Sequence, residues 1–523
     1  MCRRMAALVL VWWAVAAPGP AASRLPGAAV RAVESVSADD LRKYVGTLAS
    51  DELNGRGLGD RGNRAAEEFI CATLLQSGVT PAGADGSCYQ PVEVYQPVLG
   101  SAAHLAIVSD EGTRLADLAA GADFYPLPET GDATVAAPLV FADHGLSAPL
   151  LKHDDYARIN ARGAIVLVRE GIPSGLSRLE RLTEAERDDL GSLSRKLADA
   201  RTHGARGVLV IGTYLADYRS IWPERASIRQ ATYRLVASLR ASGLGVATVS
   251  ERAAGPILRA LDDRRPLTAT LTPDLVVTPV TMHNVLGIVE GRDAKRRDEM
   301  IVVGAHLDHD GTDAEGRIYN GADDNASGTA AVLASAAVFA RAAANGERPA
   351  RAVLFALWNG EEKGSLGAEA FVRSPQPARR VVANLNLDMV GRHEDVPDPG
   401  DWRFHGLPKI DAATTGNTLH VLGYTYTPDL AATLRDANDA VGLTLLEDYD
   451  RGEQGLLQRS DNWPFLSHGI PALFLTTGLH PDYHTPDDDT ARIDFGKLLR
   501  VTRLAARAAW IVADGPEPRI KKR

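Results

Sequence analysis

Between residues 284 and 475 the sequence repeats one pattern: a short, mostly apolar run, then a glycine or tight turn carrying histidine or carboxylate. Residues 284–290, 300–304, 352–357, 384–388 and 472–475 read as strands, and the alanine-rich stretch 330–343 as a helix among them. Strands without polar alternation have to be covered on both faces. The pattern therefore predicts an α/β fold with helices on both sides of a sheet. Open α/β sheets carry their sites beyond the strand ends, and the reactive residues of this stretch fall there.

Four clusters hold those residues. Gly304-Ala305-His306-Leu307-Asp308-His309 follows the second strand, and Asp323-Asp324-Asn325-Ala326-Ser327-Gly328 opens the alanine-rich helix. Asn359-Gly360-Glu361-Glu362 is followed at a distance by Asn386-Leu387-Asp388, and His480-Pro481-Asp482-Tyr483-His484 comes last. Imidazole and carboxylate are the donors zinc takes, and a shared carboxylate allows two ions about 3.5–4 Å apart. Singly, each cluster also reads as a turn, a helix cap or an exposed helix start. All four in order on one α/β domain read as a metal site. The chain contains no G-x-S-x-G elbow and no H-E-x-x-H. Its one N-x-S sequon, Asn325-Ala326-Ser327, lies inside the second cluster, where a glycan has no room.

The rest of the chain bounds the setting. A length of 523 residues predicts two or three domains. The net charge of −10 and the lack of long basic runs argue against nucleic acid as a partner. Arg3 and Arg4, an apolar run of about 12 residues, then Pro18, Gly19 and small residues describe a secretory signal peptide over 1–22. That run is short of the roughly 20 residues a spanning helix requires, so the expectation is an exported chain, periplasmic or secreted, that does not span a membrane. Cys71 and Cys88 would then remain as a pair, either one disulfide or two buried thiols. Helices are expected over residues 37–50 and 65–77. Gly57, Gly59 and Gly62 match G-x-G-x-x-G, but a helix rather than a strand precedes them, so no dinucleotide site is inferred. Residues 101–270 change character. Strands are expected at 104–109, 137–142, 164–169 and 207–211, with one polar helix at 185–203, and no cluster there has catalytic or ligand spacing.

The four clusters together closely resemble the M28 zinc peptidases, the co-catalytic dizinc aminopeptidases. Residues 50–56, Ser-Asp-Glu-Leu-Asn-Gly-Arg, resemble that family's N-terminal segment. Residues 99–274 resemble a protease-associated domain, a small β-rich insert. The resemblance implies a zinc peptidase domain over 36–98 and 275–515, with a mixed sheet covered by helices on both faces. It implies two zinc ions per chain, His306 and Asp388 holding one, Glu362 and His484 the other, and Asp324 bridging them. Asp308 would hydrogen-bond the second ring nitrogen of His306, and His309 and His480 would be surplus, supporting or surface residues. A zinc-bridged hydroxide would be the nucleophile, Glu361 the general base and Tyr483 the oxyanion donor. The Asp324–Asn325 peptide would be cis. Peptides are the implied substrates, cut from the N-terminus, with the insert a possible contact for substrate or another protein. The same scaffold also resembles carboxypeptidases or dipeptidases, glutaminyl cyclases and catalytically silent binding ectodomains.

Overall fold

The computed structural model describes residues 25–521 apart from 128, 132, 180, 181, 183, 213–233, 236–242, 314, 398–401, 405, 406 and 451–454. The expected signal peptide and Arg451 thus lie outside the described residues. A ten-stranded sheet organises the part of the chain that carries the four clusters. Its long path runs Arg234–Leu235, β1 (Tyr89–Leu99), β2 (Leu275–Val289), β4 (Ala352–Trp358), β3 (Glu299–His306), β5 (Arg380–Leu387), β8 (Ala472–Thr476), β6 (Thr418–Leu422) and β7 (Thr444–Leu446). β4, β3, β5 and β8 are mutually parallel, so their C-terminal ends share one edge. β2 and β6 flank them antiparallel, which makes the sheet mixed.

Alternation along β4 shows how the sheet is buried twice. Val353, Phe355 and Leu357 join one core, while Leu354, Ala356 and Trp358 join the other. The first core is covered by α1 (Gly27–Glu34), α2 (Ala38–Leu48), α3 (Arg61–Gln76), α4 (Gly328–Ala344) and α5 (Phe495–Asp514). The second is covered by the helices Leu366–Arg373 and Asn462–Ser467. Ser37 caps α2, its hydroxyl accepting from the Asp40 amide. α1 packs on α4 and α5 and begins ahead of the boundary expected at residue 36. The stretch Ala322–Ala344, which is α4 with the turn before it, is long and apolar enough to cross a membrane, but it is mostly buried inside the fold.

A second sheet, eight-stranded, is built from strands that lie between His104 and Thr272 and has apolar residues packed on both faces. β1 and β2 pair from Tyr89↔Val285 to Leu99↔Leu275, so the chain leaves and re-enters the main sheet at neighbouring points. The expected helix over 185–203 is two helices, Glu184–Gly191 and Leu193–Thr202. Ser192 starts the second by accepting from the Arg195 amide. Cys71 on α3 and Cys88 are joined as a disulfide.

Beside the main sheet, His420 on β6 is buried between Asp448 and Glu394, 2.9 Å from each, and Tyr449 donates to the other Glu394 oxygen at 2.9 Å. Burial alone would lower the imidazolium, but hydrogen bonds to Asp448 and Glu394 outweigh it and hold His420 at about 9, above the ordinary 6.5. The folded value lies above the unfolded one, so the stabilisation is fully present below pH 6.5 and is lost as pH rises through 9. Its size is about 3 kcal/mol. Thermal unfolding from neutral pH to about 10 should therefore cost the parent more stability than His420→Gln, which has no proton to lose.

Candidate metal centre

Each element of the centre arrives from the same sheet edge. His306 is the last residue of β3, Asp388 follows β5, Glu361 and Glu362 follow β4, and His484 lies on the loop after β8. Asp324 sits in the wide turn Ala322–Ser327 that leads into α4. Asn325 fixes that turn: its amide donates to Leu387 O at 2.9 Å and its carbonyl accepts from the Gly328 amide at 2.9 Å. Residue 328 has to be glycine, since a Cβ there would lie 2.3 Å from both Asn325 Oδ1 and Leu387 O. The Asp324–Asn325 peptide is cis. Asp488 accepts the amides of Asp323 and Asp324 at 3.0 Å, tying the turn to the His484 loop.

The donor spacing fits zinc. Two donors on one tetrahedral ion at about 2.0–2.1 Å lie roughly 3.3 Å apart. His306 Nε2 is 3.2 Å from Asp324 Oδ1 and 3.3 Å from Asp388 Oδ1. His484 Nε2 is 3.0 Å from Asp324 Oδ2 and 3.7 Å from Glu362 Oε2. The two oxygens of Asp324 thus face different histidines, the geometry of a carboxylate shared between two ions.

One neighbour, Asp308, behaves differently from the sequence expectation, and His309 and His480 take the supporting alternative. The Asp308 carboxylate does not reach the His306 ring, lying 4.0 Å from Nδ1; the Asp308 backbone carbonyl accepts from Nδ1 instead, at 3.1 Å. The carboxylate turns away because it accepts the amides of Glu361 and Glu362, at 3.1 and 3.3 Å. Asp308 thereby holds the turn that carries both glutamates. His309 and His480 are both fully buried, which rules out a surface role. His309 Nδ1 is 2.7 Å from Glu362 Oε1, and His480 Nε2 is 3.3 Å from Asp323 Oδ2.

Sequence reading missed four further residues. Asp310 contacts His484 Nδ1 at 2.9 Å, and Ser460 donates to Asp388 Oδ2 at 2.6 Å. Arg459 Nη2 lies 3.4 Å from the Tyr483 hydroxyl. Arg56, fully buried, donates to the carbonyls of Leu48, Leu307, Asn320 and Gly321. None of these has a local signal, because each partner except Leu48 is at least 24 residues away.

Electrostatics separate the two neighbouring glutamates. Burial, reinforced by Asp461, Glu362 and Asp388, pushes the Glu361 carboxyl well above its ordinary range, despite the opposing pull of His306. Burial would do the same to Glu362, but His484 and His309 hold its carboxyl below the usual range. One is poised to take a proton and the other to stay ionised. A cleft of about 250 Å³ opens over them, lined also by Met389, Leu456, Phe474, Leu479, Arg459 and Tyr483. Burial pushes the Tyr483 phenol up, so its hydroxyl keeps the proton.

Fold and donor set together define a candidate metal centre at the C-terminal edge of a mixed α/β sheet. Residues 284–509 match the profile of Peptidase family M28. A protein named probable glutamate carboxypeptidase AMP1, from Arabidopsis thaliana, is 26% identical over 385 residues, covering 67% of this chain and 49% of that protein. One named aminopeptidase, from Pseudomonas aeruginosa (strain UCBPP-PA14), is 27% identical over 303 residues, covering 54% of this chain and 45% of that protein. The chain spans about half the length of these curated relatives. The solved aminopeptidase from Aneurinibacillus sp. strain AM-1 shares the fold, with a TM-score of 0.55 and 19% identity over 94% of this chain and 97% of that one.

Arg56 is the buried cation closest in role to a structural ion. Burial lowers its guanidinium to about 10, while Asp324, Asp308, Asp488 and Glu362 pull the other way, so it stays charged at neutral pH. Arg56→Met should destabilise the fold by roughly 3–5 kcal/mol, because carbonyls and carboxylates lose a fully desolvated partner. Urea unfolding should show the loss to be larger in chelator-treated protein than with zinc present, since the ions offset the same negative charge.

Proposed function

We propose that the chain is an exported dizinc metallo-aminopeptidase that releases N-terminal residues from peptides. The observation that carries this reading is the Asp324 carboxylate, set between His306 and His484 with Asp388 and Glu362 beside them. When bound, two zinc ions supply Lewis-acid polarisation and a water of lowered pKa. The chain's own groups do the rest. Glu361, at the cleft wall with a raised pKa, takes a proton from the attacking water and returns it to the departing amine. Tyr483, protonated and beside His484, donates to the oxyanion of the tetrahedral intermediate.

Carboxylates crowd the cleft end that holds the centre, and they suit a protonated α-amine. Leu456, Phe474, Leu479 and Met389 give the same cleft an apolar wall that suits an apolar first side chain. A carboxypeptidase would grip a terminal carboxylate with arginines. Among the described residues of the cleft wall Arg459 is the one arginine, and it contacts Tyr483. We further propose that residues 99–274 form a protease-associated domain that shapes access or binds a partner. Export is supported by the composition of residues 1–22 and by the Cys71–Cys88 disulfide, a cross-link that persists in oxidising compartments.

Neighbouring substitutions should separate binding from chemistry. Glu361→Ala is expected to keep two zinc ions per chain by elemental analysis while kcat drops by about 10²–10⁴-fold. Glu362→Ala should lose an ion. The reverse pattern would exchange the two roles.

Substrate ends supply an independent check. Aminoacyl-nitroanilides and short peptides should be cleaved, N-acetylation should abolish turnover, and C-terminal amidation should change it little. Unchanged turnover of acetylated peptides, or dependence on a free carboxylate, would replace the aminopeptidase reading with a carboxypeptidase one.

A further inference from the structure

The two halves of the centre are supported by different chemistry. Asp310 Oδ2 lies 2.9 Å from His484 Nδ1, and both side chains are almost wholly buried, at 3% and 5% exposed. The opposite ring nitrogen, Nε2, faces Asp324 and Glu362. His484 is therefore held in one orientation, with a carboxylate behind it and the donor set in front. Glu362 has a similar partner, since its Oε1 is 2.7 Å from His309 Nδ1. On the other half the partners are neutral. His306 Nδ1 meets the backbone carbonyl of Asp308 at 3.1 Å, and Asp388 Oδ2 accepts from the Ser460 hydroxyl at 2.6 Å.

We propose that Asp310 is a positioning residue that acts through His484, and that it makes the Glu362–His484 position the tighter of the two metal positions. A carboxylate hydrogen-bonded to the distal nitrogen fixes the ligand's tautomer and raises its basicity, and losing such a partner typically weakens metal binding about 10–100-fold. A backbone carbonyl fixes the tautomer as well, but it brings no formal charge to the ring. The inference rests on the two-metal reading of the site.

The test is stepwise zinc binding to chelator-treated full-length protein, followed by competition with a chromophoric chelator. The parent should bind two ions with distinguishable affinities. Asp310→Asn should weaken the tighter step about 10–100-fold and leave the weaker step within about threefold. Asp310→Glu, which keeps a carboxylate, should recover part of the loss. An unchanged tight step in Asp310→Asn, with two ions bound by the parent, would overturn the role of Asp310 and spare the two-metal reading. A parent that binds a single ion would overturn both.

A measurement on the parent alone guards against a variant that fails to fold. With ¹⁵N-labelled histidine, the first equivalent of zinc should shift the His484 ring nitrogens and the second those of His306. The opposite order would overturn the proposal.

Discussion

The Asp324 carboxylate stands between two histidines that come from opposite ends of the catalytic sequence, and much of the surrounding architecture serves to keep it there. Its turn cannot rely on a regular helix start, because the backbone at Asp324 and Asn325 is non-helical. Side chains replace the missing helical bonds. Asn325 ties the turn to the end of β5, Ser327 accepts from the Val390 amide, and Asp323 accepts from the Gly391 amide. Asp488 grips it from the His484 side. The loop bearing Asp388 and the loop bearing His484 are thus both anchored on the residue they share.

A collection of buried carboxylates is costly without positive charge. Asp308, Asp324, Asp388, Asp461 and Asp488 are all essentially buried. Asp461 has neither oxygen hydrogen-bonded among the described residues, and burial raises its carboxyl well above the ordinary range. Arg56 and the histidines offset part of this charge. Two divalent ions at the Asp324 oxygens would offset much more, so the same residues that make the chemistry also make the centre a contributor to folding.

The parallel core of the sheet was readable because its strands are mostly apolar and end in reactive turns. The runs expected at 300–304, 352–357, 384–388 and 472–475 correspond to β3, β4, β5 and β8. β6 and β7 were not anticipated. They are short and carry polar residues, such as His420, whose burial depends on Glu394 and Asp448. The same limit applies at the centre. Residue type and order suggested His306, Asp324, Glu362, Asp388 and His484, since donors of that kind are grouped there at strand ends and tight turns. Asp310 and Arg56 gave no such signal. A buried aspartate beside a histidine 174 positions away is indistinguishable in sequence from a turn residue. Asp308 shows the converse error: its spacing from His306 suggested a ring contact, but two unpartnered amides in the glutamate turn claimed its carboxylate.

The division of labour within the cleft follows from where the one arginine among the described residues of its wall points. A guanidinium free to meet a substrate would favour an anionic chain end, but Arg459 is directed at the Tyr483 hydroxyl, 3.4 Å away. A cation beside a phenol makes that hydroxyl a better hydrogen-bond donor, and Arg459 opposes the burial that pushes the phenol up. The positive charge is thereby spent on the side of the cleft where an oxyanion would form. Glu361, Glu362 and Asp388 line the same cleft, together with an apolar wall. Under the proposed aminopeptidase function, such a cleft would take a peptide by its amine end and stabilise charge that develops only once the carbonyl has been attacked.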